Sequence, residues 1–427
     1  MKKLLHTLLR LLAQRILQRH EPRIVAITGS VGKTSAKTAI AGVLSKQFTV
    51  RAGESSFNNE IGVPLAIIGI AESPGKNMLG WVGVVVKGVR TMLAPKGRYP
   101  QILVLEFGAD HPGDIRYLME SFPPSISVLT AVAKVHLEQF RSIENVAREK
   151  SLIISLLPPS GKAIINADDP LVAPLARKTS VAVTTFGTSE AADFSATALQ
   201  VVDKEGIIGL AFKIGHGGRV VPLFIPSVTG GHHVYAMLAA AAVADAVGMN
   251  LVDIGNALAD YRTPRGRGRL IDGIGGALIV DDTYNASPIS TKAALHTLAS
   301  LGQLRGGKTI AILGDMLELG DYMDQGHREV GRVVKELGID ILLTVGELAS
   351  RISKSARDAG ISEDSVHAFV SREQAIDFVR PQLTATDTIL VKGSQGARME
   401  KVVVALMAHP EQAGELVVRQ SAKWKKK

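Results

Sequence analysis

Between Arg23 and Ile40 the chain reads RIVAITGSVGKTSAKTAI, an apolar β-branched run, a glycine-containing turn and then helix-forming residues. Gly29, Gly32, Lys33 and Thr34 have the types and order of a phosphate-binding turn. In such a turn backbone N–H groups wrap phosphate oxygens, the lysine neutralises the outer phosphates and the next hydroxyl reaches magnesium. The helix that starts there adds its positive end. The common P-loop spacing sets its first glycine where Ile27 stands, so the turn departs from that template. Ser30, Val31 and Ser35 fill out the stretch assigned to a nucleotide.

A magnesium site needs convergent oxygen donors. Glu106 ends the apolar run ILVLEF and is placed to share a crevice with Thr34. Its other reading is an ordinary exposed strand end. His136, in KVHLEQF, reads on its own as structural, and Lys150, in NVAREK, reads on its own as a lysine on a helix surface.

These residues must be held by alternating strands and helices. Apolar runs at Ile24, Ile102 and Ile126 read as buried parallel strands whose C-terminal ends form one edge, where such folds bind ligands. KAIIN and several short strands between Val181 and Ile225 extend the sheet with antiparallel character, and Gly230–Gly248 reads as a buried alanine-rich helix. Glycine, proline and arginine cluster in TPRGRGRL from Thr263, which marks a boundary. Beyond it ALIVDDTY, TIAILGD, ILLTVG and TILVKGS, each followed by a helix, predict a second doubly wound sheet. The expected organisation is α/β throughout: an amphipathic helix over 1–22, a central ATP-binding domain with a mostly parallel sheet over 23–262, and a Rossmann-like domain with a basic tail over 263–427.

With 427 residues the chain suffices for two or three cores, and with no cysteine it excludes disulfides, zinc-thiolate sites and a cysteine nucleophile. No apolar run reaches the roughly 18 to 20 residues of a membrane span. A net charge of +9 suits a polyanionic substrate, a membrane surface or nucleic acid, but aromatic residues make up only 4% and no nucleic-acid motif is present. The N-terminal MKKLLHTLLRLLAQRILQRH has Leu4, Leu5, Leu8, Leu9, Leu12 and Ile16 near helical spacing. It reads as a helix packed on the first domain; the second reading is an interfacial helix on an anionic membrane.

Taken in order, TGSVGKTS, SFNNEIGVPL, VLEFGADHPGDI, VHLEQFRSIENVAREK, NADDP, DDTYNASP, LGDMLELG and VKGSQGARMEKVV resemble the signature series of the Mur ligases. Within that family the series is most similar to the type that adds D-Ala-D-Ala to a UDP-muramoyl-tripeptide. The family's loop has the form TGxxGKT, so Ile27 is no objection. The resemblance implies a cytoplasmic, monomeric, ATP-driven amide ligase of cell-wall precursor synthesis. Its acceptor carboxylate takes the γ-phosphoryl group, and an amine then displaces phosphate from the acyl phosphate. Lys33 would hold the β- and γ-phosphates, and Thr34 with Glu106 the first of two magnesium ions. His136 would ligate the second, and Lys150 would carry a carbamate that helps hold the metals. Asn58, Asn59 and Glu60 would lie near the acceptor, and Arg267 would reach the γ-phosphate. Asp282, Asn285 and Asp315 would line the nucleotide, and Lys392 and Ser394 would face the incoming dipeptide.

Two departures bear on this reading. The ATPase strand begins at Arg23, where the type usually carries a preceding domain that grips the UDP group, so the expectation is a chain lacking that domain. In GGHHVYAMLAA, His233 and Ala236 stand where the family shows two asparagines associated with the nucleotide; His233 is kept as a nucleotide contact. The alternatives are a Mur-like ligase with another carboxylate acceptor and a P-loop ATPase acting at a membrane surface.

Overall fold

The structure is a computed structural model that describes residues 2–53, 57–133, 137–421 and Trp424. Among the described residues fifteen strands form two sheets. The first holds β1 (Arg23–Thr28), β2 (Val50–Ala52), β3 (Ile102–Glu106), β4 (Ile126–Leu129), β5 (Lys162–Asn166), β6 (Ala182–Gly187), β7 (Phe194–Lys204), β8 (Ile207–His216) and β9 (Arg219–Pro226). Their order is β2-β3-β1-β4-β5-β6-β7-β8-β9, parallel through the β6–β7 pair and antiparallel across β7, β8 and β9. In β1, Ile24 to Thr28 are all buried, because helices cover both faces of a parallel sheet and leave no polar side to the strand.

One face is covered by helices Lys33–Leu44, His232–Ala246 and Leu251–Ala259. The second of these buries eleven residues all round its circumference, six of them alanine, so it packs closely against Lys33–Leu44. The other face carries helices Lys2–His20, Gly62–Ile68, Asp114–Ser121 and Ile143–Ser155. Leu9, Leu12, Ala13 and Ile16 are the buried stripe of the first of these, so this side of the N-terminal helix belongs to the core.

The second sheet begins after the TPRGRGRL turn and holds β10 (Arg269–Asp272), β11 (Leu278–Asp282), β12 (Thr309–Gly314), β13 (Ile341–Val345), β14 (Val366–Phe369) and β15 (Thr388–Lys392). The order is β10-β11-β15-β12-β13-β14, with β10 antiparallel on its edge and the rest parallel. The long helix Pro288–Arg305 starts on a capping box between Ser287 and Ser290 with Pro288 at its first turn, and stops at Gly306, whose φ of 70° suits glycine. Register sets the loops: Asp282 lies beside Lys392, and Leu313 lies on the other side of Lys392. DDTYN, VKGS and LGDM therefore emerge together at one sheet edge.

Candidate active site

The turn after β1 is held from beneath. Gly29 has φ 151°, and a Cβ there would lie 2.0 Å from Thr130 Oγ1, so only glycine fits. Thr130 Oγ1 donates to Val31 O at 2.7 Å, Ser30 N donates to Ala131 O at 2.6 Å, and Ser30 Oγ donates to Ala133 O at 3.2 Å. The loop after β4 is itself fixed by the NADDP segment. Asn166 Nδ2 donates to Thr130 O at 2.6 Å, and Asp169 Oδ2 accepts from Val132 N at 2.8 Å. Gly32, with φ 85°, opens the helix that carries Lys33 and Thr34. Lys33 Nζ donates back to Gly29 O at 2.6 Å, curled over the turn.

Glu106 ends β3 directly beside Ile27. It is buried, and its Oε1 lies 3.0 Å from Lys37 Nζ in an ion contact that makes no aligned hydrogen bond. Lys37 is one helical turn beyond Lys33, a spacing the sequence displayed, and it also donates to Gly53 O at 2.7 Å. The expected neighbour of Glu106 was Thr34 through a metal; its neighbour among protein groups is this lysine.

Lys150 is not the surface lysine its own surroundings in sequence suggest, because only about 2% of it is exposed. The adjacent Glu149 explains why. Its two oxygens accept from Gly113 N and Ile115 N, both at 2.9 Å, and clamp helix Ile143–Ser155 to the start of helix Asp114–Ser121. Burial first, and then the charge of Lys33, push the Lys150 ammonium down to about 7, against the opposing pull of Asp110, Glu149 and Asp114. Burial also lowers Lys33, helped by Arg267 and opposed by Glu106 and Asp110. Asp110 thus acts on both lysines; it lies in the VLEFGAD motif, four residues past the end of β3, yet the sequence reading gave it no role. His136 lies outside the described residues, so its assignment as a metal ligand has no geometry to report. Among the described residues no group of three or more His, Asp or Glu side chains converges on a metal position.

Arg267 brings the second half of the molecule to this place. Gly266 and Gly268 have φ of 66° and 70°, and the turn they make is bound to DDTYN through Tyr284 N donating to Gly266 O at 3.0 Å. The guanidinium lies 4.1 Å over the Tyr284 ring, with its Nε buried and without an acceptor among the described residues. Its charge reaches Lys33, His232, His233 and Lys392, which places it between the two sheet edges.

Several residues expected at the ligands also have protein partners. Both His233 nitrogens are engaged: Nε2 with Arg267 O at 2.9 Å and Nδ1 with the Tyr261 hydroxyl at 3.0 Å. A carbonyl only accepts, so Nε2 carries the proton and Nδ1 accepts from Tyr261. Burial holds the ring neutral, and the ring pins the backbone of Arg267. Lys392, expected to face the dipeptide, is buried against Asp282, with Nζ 2.5 Å from Oδ2 and 3.0 Å from Asn285 O. Asp282, expected at the nucleotide, is the other half of that pair. Ser394 Oγ accepts from Leu317 N at 2.8 Å and its backbone N donates to Asp315 O at 2.9 Å, joining VKGS to LGDMLELG. Asp315 itself accepts from Ala349 N at 2.7 Å. Asn59 Oδ1 accepts from Gly62 N at 2.9 Å at the start of the helix that follows, while Asn58 O accepts from Gly108 N at 2.7 Å and ties NNEIGVP to the segment after β3. Glu60 is half-buried and Asn285 is exposed.

A buried ion pair is costly to break from one side, since the remaining charge is stranded. Lys392→Met is therefore expected to lower stability by about 3 to 5 kcal/mol, and Lys392→Met combined with Asp282→Leu to recover most of that loss. Urea denaturation of the three proteins checks this; equal losses for the single and double variants would show that packing of the lysine stem, not charge pairing, dominates.

The family described as Mur ligase middle domain matches residues 86–244, and that described as Mur ligase, glutamate ligase domain matches residues 266–395. The chain is 32% identical over 404 residues to the UDP-N-acetylmuramoyl-tripeptide--D-alanyl-D-alanine ligase of Bacillus subtilis (strain 168), covering 95% of this chain and 80% of that protein. It is 33% identical over 405 residues to the enzyme of the same name from Escherichia coli (strain K12), covering 92% and 79%. The chain belongs to the Mur ligase family. Among solved structures this Mur ligase superposes on MurF from Acinetobacter baumannii with a TM-score of 0.77 at 27% identity, covering 92% of this chain and 79% of that one. Family membership makes it an ATP-dependent amide ligase and accounts for the motif order. It also explains why a glycine at Ile27 is not required. No helix among the described residues is long and apolar enough to cross a membrane.

Proposed function

We propose that this Mur ligase joins D-Ala-D-Ala to the free carboxylate of a UDP-muramoyl-tripeptide, using ATP to form an acyl phosphate on the acceptor. The observation that carries the reading is the gathering of a phosphate turn, Lys33, a deprotonation-prone Lys150 and Arg267 between the ends of two sheets. A carboxylate is a poor electrophile until one oxygen becomes a good leaving group. Transfer of the γ-phosphoryl group supplies that leaving group, and amine attack then expels phosphate. Charge builds on the transferring phosphoryl oxygens, so cations fixed before the reaction are worth most there.

In this reading the Lys33 ammonium leaves Gly29 O for the β- and γ-phosphates, and the turn's N–H groups hold the remaining oxygens. Arg267 approaches the γ-phosphoryl from the opposite edge. The Thr34 hydroxyl and the Glu106 carboxylate are hard oxygen donors of the kind magnesium accepts beside substrate phosphates. Glu106 Oε1, buried and short of an aligned donor, supports that fit. Lys150 as a carbamate would add a further carboxylate to a donor set otherwise poor in them, since its free amine can attack carbon dioxide and release one proton. Magnesium in such a site neutralises developing phosphoryl charge and orients the γ-phosphate.

The test is phosphate release measured with the muramoyl-tripeptide and D-Ala-D-Ala, each omitted in turn. Release that requires both supports the proposal. Release with another carboxylate and none with any muramoyl peptide would sink the substrate assignment while leaving the ligase chemistry standing.

A further inference from the structure

Helix Met78–Leu93 presents its apolar side to solvent. Leu79, Val82, Val86, Val89 and Leu93 recur at alternating steps of three and four, which makes one stripe, and all five are exposed, Leu79 by 83% and Leu93 by 71%. A helix on a globular surface ordinarily turns its polar face outward. The opposite, buried side is narrow: Gly88 meets Leu12 of helix Lys2–His20 so closely that a Cβ there would lie 2.2 Å from Leu12 Cδ2. That partner helix exposes Leu4, Leu8 and Leu11 in turn. These two helices carry nine of the seventeen large hydrophobic residues exposed among the described residues. Such a concentration is beyond what scattered surface apolar residues account for.

The charge on the two helices themselves has one sign. Residues 1–20 and 73–98 contain ten lysines and arginines and no aspartate or glutamate, so the chain's net +9 is more than accounted for there and the remaining residues sum to −1. Arg15, Arg19, Arg90 and Arg98 are exposed, and no described carboxylate pairs with Arg15, Arg19 or Arg90. An apolar stripe on two helices that carry cations and no carboxylate, with the flanking Glu21 paired to Lys96 at 3.4 Å, is complementary to an anionic lipid surface, where the stripe enters the acyl boundary and the cations meet the headgroups. A second copy of the chain would have to bring ten like charges against ten.

We propose that helices Lys2–His20 and Met78–Leu93 form a docking face for an anionic bilayer, which the protein touches without crossing. The inference does not rest on the ligase substrate. It fits an acceptor drawn from, or delivered to, the membrane surface.

The test is flotation of the full chain with vesicles of phosphatidylglycerol and phosphatidylcholine, against phosphatidylcholine alone, at about 0.1 M and 0.5 M salt. Flotation with the anionic vesicles, weakened by salt, is expected. Val82→Ser/Val86→Ser removes apolar stripe and Arg15→Glu/Arg90→Glu reverses charge, both at exposed positions that the fold tolerates, as unchanged melting would confirm. Each cation near an anionic surface is worth roughly fivefold in partitioning, so the charge pair is expected to cost at least about tenfold and the serine pair a similar loss. No flotation with anionic vesicles overturns the proposal. So does flotation that both pairs leave unchanged, which would place binding on the terminal lysines, and so does a dimer that the serine pair dissolves, which would make a second copy the occupant.

Discussion

Lys150→Ala is expected to lower kcat by about 10³-fold, with the fold intact and partial recovery on adding formate or acetate. The cavity left by the side chain lies beside Lys33 and within the fields of Asp110 and Asp114, where a small carboxylate can stand in for the carbamate. Lys150→Arg should lose as much, because a guanidinium is always charged and forms no carbamate. The pH dependence follows from the same burial. The group that attacks carbon dioxide is the neutral amine, and burial with the nearby Lys33 brings its pKa down to about 7. Above pH 7 the free base dominates; as pH falls through 7 it is protonated, so carbamate occupancy and activity at low bicarbonate should fall together and return when bicarbonate is raised. The stability sign agrees: between about 7 and the ordinary lysine value the unfolded chain binds the proton and the folded chain does not, so the unmodified protein gains stability as pH rises through that window. A labelled carbon dioxide adduct observed by carbon NMR, absent from Lys150→Ala, checks the chemistry independently of turnover. No adduct, together with no recovery by any short acid, would remove the carbamate from the mechanism.

What could be read without coordinates was mostly local. The strand, turn and helix around Lys33 announce themselves because each segment has its own period and its own punctuation, and the second sheet is legible for the same reason. The strands that escaped notice are short or edge pieces: Val50–Ala52, Val366–Phe369 and the antiparallel Arg269–Asp272. Three or four residues carry too little pattern to be told from loop. The pairing of Lys392 with Asp282 joins positions 110 apart, and no local pattern can distinguish a lysine that meets an aspartate from one that waits for a substrate. Lys150 is the sharpest case. Its neighbours in sequence make it a surface residue, and it is buried because Glu149 caps another helix. His233 shows what distance in sequence hides: a resemblance places it at the nucleotide, and its two nitrogens also meet Tyr261 and Arg267, 28 and 34 positions away.

That placement of His233 gives the Arg267 side chain its setting, and removing the side chain is expected to be nearly as damaging as losing Lys150. Arg267→Ala should reduce kcat by about 10³-fold while leaving the KM for ATP within a few-fold, because the arginine is asked to act on the charge that develops during phosphoryl transfer, whereas the turn around Lys33 holds the ground-state phosphates. Two cations, Lys33 and Arg267, face the same crevice, and Arg267 raises the cost of charging Lys33; a polyphosphate relieves that repulsion, and a transition state with more charge on the γ-oxygens relieves it further. The buried Nε, with no acceptor among the described residues, is a donor free to meet such an oxygen. Arg267→Lys should recover only part of the rate, since lysine keeps the charge but neither the planar fork nor the stacking on Tyr284. His233→Ala tests the support separately. With the Arg267 carbonyl released, the side chain remains but its aim is lost, so kcat should fall by less than in Arg267→Ala, and the double variant should be no worse than Arg267→Ala alone. Steady-state kinetics of the four proteins decide it. A rise in the KM for ATP at unchanged kcat in Arg267→Ala would reassign the arginine to ground-state binding, and additive losses in the double variant would mean that the histidine acts on something other than Arg267.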